Sequence, residues 1–117
     1  MSADVHETDP LLASIVASAD ESAIGFWLVV AVVRNVRAQL ATVDDADLRR
    51  SVLALVREAL RRRLLVAGSV EERGFDAWHL SPDDTVARIE REWAALGRDP
   101  HPGEIALFAT PGRLGYA

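Results

Sequence analysis

Residues 78–108 read WHLSPDDTVARIEREWAALGRDPHPGEIALF, and this stretch decides the fold class. Ser81 followed by Pro82 starts a helix: a hydroxyl that caps free backbone N–H groups, then a ring whose missing N–H is no loss in the first turn. Asp83 and Asp84 place negative charge at the positive end of the helix dipole. Val86, Ile89, Trp93 and Leu96 recur at the spacing of one helical face. Gly97 follows them as the residue best able to end a helix in the left-handed conformation. The turn Arg98 to Gly103 carries two prolines, and Glu104 to Thr110 reads as an apolar strand. A capped helix, a tight turn and a short strand within some thirty residues describe a compact α+β domain.

Upstream, the helical pattern dominates. Asp9-Pro10 is a second start signal, and Leu11, Leu12, Ile15 and Val16 support a two-turn helix to about Ser18. A second helix is expected from about Ser22 to Leu40. Its first half is apolar nearly all round (Ile24, Phe26, Trp27, Leu28, Val29, Val30, Val32, Val33), so a buried strand is the competing reading there. Helical spacing at Val29, Val33, Val36 and Leu40 favours helix, and a helix apolar on all sides should be the central one. Asp44 caps a third helix that runs to about Arg63, with Leu48, Val52, Leu55, Val56, Ala59 and Leu60 as its buried stripe. Leu64 to Ala67 then reads as a strand, Glu71 to Gly74 as a polar turn and Phe75 to Leu80 as a returning strand. Thr110-Pro111-Gly112 closes the last strand. The expected fold is mainly helical α+β with a small two- or three-stranded antiparallel sheet. Residues 1–8 form a polar tail, and 9–117 one globular domain.

Bulk composition narrows the function classes. Half of the 117 residues are apolar, enough to fold around one core. Absence of cysteine removes disulfides, thiolate catalysis and cysteine-based zinc sites. All 13 basic residues are arginine, so no side chain can form a Schiff base. Net charge is −5, with an acidic N-terminus unlike a secretory signal. The longest apolar run, Ala23 to Val33, is far short of the ~20 residues of a membrane span. A cytoplasmic protein without membrane contact is the expectation.

Helices followed by a strand pair, with a last strand running into Thr-Pro-Gly, resemble a winged-helix arrangement. The resemblance implies that Ala23–Leu40 is the first helix, Asp47–Arg63 the recognition-type helix, and Leu64–Ala67 with Ile105–Ala109 the wing strands. The chain departs from that pattern where the 81–96 helix interrupts the wing. The run SPDD…RIEREWAALGRDPHPGEI is also similar to a pattern of small uncharacterised actinobacterial proteins, which implies kinship and no activity.

Reaction chemistry finds little support. None of His6, His79 and His101 lies near another, as paired metal ligands would. Asp44/Asp45 and Asp83/Asp84 already serve helix starts, and Glu90 and Glu92 sit beside Arg88 and Arg91 on a solvent side. The serines lack a nucleophile elbow, and the glycines form no phosphate-cradling loop. No catalytic residue, cofactor or metal is expected, and the reading is a non-enzyme.

Two features suggest binding. Arg50, Arg57 and Arg61 lie within about 40° of one another on the third helix and form a basic line, flanked by Arg49, Arg62 and Arg63. Trp93 and Trp27 read as core, leaving Trp78 as the tryptophan for an interface. These four residues, Arg50, Arg57, Arg61 and Trp78, are the partner-binding candidates. The expected partner is a protein, with an immunity-type or accessory role. A winged-helix DNA-binding regulator is the rival, disfavoured by the acidic net charge. Homodimerisation is the natural remedy should the second helix be left uncovered.

Overall fold

The computed structural model describes residues 10–40, 44–72 and 74–114. The expected N-terminal tail and the Asp9 cap lie outside the described residues. Among the described residues, four helices and four short strands follow in the order α1 (Pro10–Glu21), β1 (Ile24–Gly25), α2 (Phe26–Leu40), α3 (Asp45–Arg61), β2 (Val66–Glu71), β3 (Gly74–Ala77), α4 (Pro82–Leu96) and β4 (Leu107–Ala109). The class is α+β, with one antiparallel sheet in the order β1-β4-β2-β3.

The capped helices form as their sequences demand. Ser81 accepts from the Asp84 N–H at 3.1 Å, Pro82 opens α4, and Gly97 ends it with φ of 69°. Asp44 accepts from the Ala46 N–H at 3.1 Å to start α3.

Four expectations need correction. The second helix does not begin at Ser22: Ile24 and Gly25 pair with Phe108 and Leu107 and add a fourth strand to the sheet. Helix starts only at Phe26, whose N–H donates to the Ala106 carbonyl at 2.9 Å. Glycine disfavours helix interiors and permits close approach in a strand, so Gly25 breaks the apolar run. Second, the central helix is α3, which packs against α1, α2 and α4. Among the residues of α2 whose burial is described, Phe26, Val29, Val30 and Val33 are buried, while Trp27 and Val32 are half-buried and Val36 is exposed. Third, Trp27 is therefore not core, because its neighbour Phe26 takes the inward position.

The fourth concerns strand limits. β2 runs on to Glu71, opposite Gly74, so the hairpin turn is shorter than the sequence suggests. β4 begins at Leu107 rather than Glu104, because Ile105 has φ of 70° and the Ala106 N–H turns back to the Glu104 carbonyl.

The core gathers Leu12, Ile15, the inward residues of α2, Leu48, Val52 and Val56 of α3, Val86, Ile89 and Trp93 of α4, and Phe108 of the sheet. Phe26 stands edge-on to Trp93 at 5.2 Å and 83° and contacts Phe108 at 6.4 Å, the geometry favoured by aromatic quadrupoles.

Candidate functional site

The arginine line is real but already engaged. Arg57 Nε lies 3.2 Å from Asp83 Oδ1, and Arg61 reaches the same oxygen at 3.7 Å. Arg50 pairs with Asp47 one turn earlier on its own helix. Asp83, expected only to favour the helix dipole, thus also ties α4 to α3. The three guanidinium groups remain partly exposed, yet each faces an acid of its own chain.

Trp78 is held in the same way. It follows β3, and its N–H donates to the Ala67 carbonyl at 3.1 Å, which extends the ladder by one residue. Its indole N–H donates to Ser69 Oγ at 2.7 Å, and the Arg88 guanidinium covers its ring at 3.7 Å. Arg88 is itself fixed by Glu92 at 2.9 Å. A ring capped by a cation and packed against the core closes the edge of the domain.

The C-terminal motif resolves into structural contacts. Arg98 and Glu104 form a two-pronged pair at 2.9 and 2.8 Å across the proline turn, and the His101 N–H donates to Glu104 at 2.7 Å. These donors, Arg98 first, lower the Glu104 pKa to about 2. Asp99 grips Arg34 of α2 through two bonds of 2.9 and 3.1 Å, and this contact raises the arginine pKa. The conspicuous polar residues of GRDPHPGE therefore hold one loop against the body. His79 and His101 are exposed in separate loops, and no group of three or more acids and histidines among the described residues could hold a metal ion. Among the described residues no helix is long and apolar enough to cross a membrane.

What the sequence reading missed is the second face of the sheet. Alternation along a strand puts neighbouring residues on opposite faces. Ile24, Phe108 and Ala67 form one cross-strand row and join the core. Gly25, Leu107, Gly68 and Ala77 form the adjacent row on the other face. A Cβ added to Gly25 would meet the Trp27 ring at 2.4 Å, and one on Gly68 would meet the Phe75 ring at 2.7 Å. Two aromatic rings thus lie over two glycines, with half-buried Leu107 between them. Val70, paired with Phe75, is 67% exposed at the end of this surface. Glu71, Glu72, Phe75 and Asp76 line one hollow at the hairpin tip, with Glu71 and Asp76 on the alternate positions to Val70 and Phe75. The signal was present in IGFW and VAGSVE, but it needed the register to be read. The chain matches no protein-family model, no curated protein and no solved structure.

Proposed function

We propose that this chain is a cytoplasmic, non-enzymatic domain that docks on another protein through the outer face of its sheet, in an immunity-type or accessory role. The observation that carries the reading is that face itself. Its cross-strand row holds only apolar residues and glycine, two aromatic rings lie on it, and a large aliphatic side chain is left in water. Apolar surface of this kind, with aromatic anchors, is characteristic of binding sites. Three carboxylates at the hairpin tip, where that face ends, favour a protein whose apolar patch is flanked by arginine or lysine.

The reading moves the contact away from Arg50, Arg57, Arg61 and Trp78, which are engaged within the chain. The same ion pairs weaken the DNA-binding alternative, since guanidinium groups facing aspartates release fewer counterions on a phosphate backbone.

A photoreactive residue at position 70, compared with one at the exposed position 35 of α2, tests the proposal in the native host. One discrete adduct with a basic protein is expected from position 70 alone, lost when Phe75→Asp is added. Equal yield from both positions, or none from position 70, overturns it. An adduct of twice the chain's own mass replaces the foreign partner by a second copy. Neutralising Glu71, Glu72 and Asp76 should slow association with the captured protein, whereas charge reversal at Arg50, Arg57 and Arg61 should not.

A further inference from the structure

A cleft of about 640 Å³ opens where the end of α3 meets β2 and the loop before α4. That size lies within the range of about 300–1,000 Å³ typical of small-molecule sites. Leu60, Leu65 and Ala77 give it apolar walls, and Arg61, Arg63 and His79 give it polar ones.

Two of these polar residues adopt a backbone conformation that side chains rarely take. Arg63 and His79 both have φ of 59°. For Arg63 the cause is plain. The Leu64 N–H donates to the Ala59 carbonyl at 2.9 Å and the Arg63 N–H to the Leu60 carbonyl at 3.1 Å. This pair of bonds defines a helix C-terminus that turns through a left-handed residue, the position where glycine is ordinarily found. α4 ends with glycine there, whereas α3 ends with arginine. A side chain at such a position is strained, and strain of this kind concentrates at functional sites.

Arg63 also differs from its neighbours in charge balance. Asp83 serves Arg57 and Arg61, and Glu58 lies 4.0 Å from Arg62. Among the described residues no acid lies within ion-pair distance of Arg63. It borders a second cleft along α1 as well, but that one contains the Asp20 carboxylate, which repels an anion. The favourable side for a negative group is the first cleft, where Arg61 adds positive charge although it also faces Asp83 at 3.7 Å. One cation without an acid matches a single negative charge, and the planar guanidinium matches a carboxylate.

We propose that this cleft binds a small monocarboxylate with an apolar body, its carboxylate held by Arg63 with Arg61 beside it and its body against Leu60, Leu65 and Ala77. The cleft shares Ala77 with the docking surface, whose aromatic rings and Val70 lie outside it. Octanoate is the probe, with octan-1-ol, octylamine and inorganic phosphate as controls. Titration of the full chain is followed by calorimetry and by the His79 imidazole resonances. Octanoate should bind saturably and move the His79 signals, and the alcohol, the amine and phosphate should do neither. Arg63→Gly should weaken octanoate binding at least tenfold while its melting temperature stays equal or rises, which separates lost binding from lost fold. Octanoate affinity unchanged in Arg63→Gly, equal binding of octan-1-ol, displacement by equimolar phosphate, or no saturable binding each overturns the proposal.

Discussion

The two faces of the sheet share one set of backbone hydrogen bonds and differ in everything that lies on them. On the inner face Ile24, Phe108 and Ala67 are at most 7% exposed, packed beneath the helices. On the outer face Leu107 and Ala77, together with the Trp27 and Phe75 rings, are half-buried, and Val70 stands in water. An antiparallel sheet with one solvated face ordinarily turns polar residues outward. In the rows that cross β4 both sides are apolar, and side-chain size distinguishes them. The inner row fills space against helices; the outer row is thinned by glycines, so that rings can lie down on it. The lesson is that an apolar strand residue is assigned to core or to contact surface by what its cross-strand neighbours leave room for.

Truncation on the two faces should break this comparison most strongly. Phe108→Ala empties a fully buried site that touches Phe26, and such changes cost about 3–5 kcal/mol. Leu107→Ala, next in sequence and on the other face, should cost about 1 kcal/mol, because a half-buried side chain loses less apolar contact. Urea unfolding of the two variants measures the difference. Equal losses would mean that the outer face is as much a part of the core as the inner one.

The glycines sharpen the same contrast at smaller cost. A methyl group on Gly68 would stand 2.4 Å from the Asp76 carbonyl oxygen, and backbone cannot step aside as a ring can. Gly68→Ala should therefore destabilise by about 1–3 kcal/mol, the range for overpacking. The three atoms nearest to a Cβ at Gly25 all belong to the Trp27 ring, so Gly25→Ala should cost less and shift the tryptophan fluorescence by displacing that indole. If Gly25→Ala is the more damaging change, the ring is wedged in place rather than resting on the strand.

Local signals made part of this fold legible. Ser81, Pro82 and Gly97 act on backbone groups within a turn of themselves, so the limits of α4 follow from the residues alone. β1 was hidden for the opposite reason: its two residues are a strand only because Phe108 and Leu107 come to lie beside them. Gly25 was the sole local warning. The basic line was visible as a helical stripe, but the pairing of Arg57 and Arg61 rests on Asp83, 26 residues beyond Arg57. The central place of α3 likewise depends on three partners, none of which its own periodicity names. The class of fold was thus readable from caps and spacing. The surface offered to a partner required strand register, which single-strand patterns do not contain.

Arg63 provides a smaller test, at the turn that leads into β2 and so into both faces. Replacing a left-handed non-glycine residue by glycine removes a steric penalty of about 1–2 kcal/mol, offset in part by the greater freedom of glycine in the unfolded chain. Arg63→Gly should raise stability by about 0.5–1 kcal/mol in urea unfolding. A loss instead would show that the arginine side chain makes contacts worth more than its strain.

The finest distinction concerns how β4, the strand common to both rows, is brought into the sheet. Its approach is set by the turn that Arg98 and Glu104 clasp, and the Glu104 pKa of about 2 against an ordinary 4.5 reports that clasp. A carboxyl depressed in the folded state adds stability that is complete above its unfolded pKa and fades as pH falls toward the folded one. The clasp should therefore contribute fully above about pH 4.5 and vanish by about pH 2. Melting temperatures of the chain and of Glu104→Gln, taken across that window, should converge as pH falls and stay parallel above it. The effect is small because the pair is exposed to solvent, which screens it. Curves parallel throughout would mean that the proline turn holds its shape without the clasp, leaving the backbone at Ile105 and Gly103 to direct β4 alone.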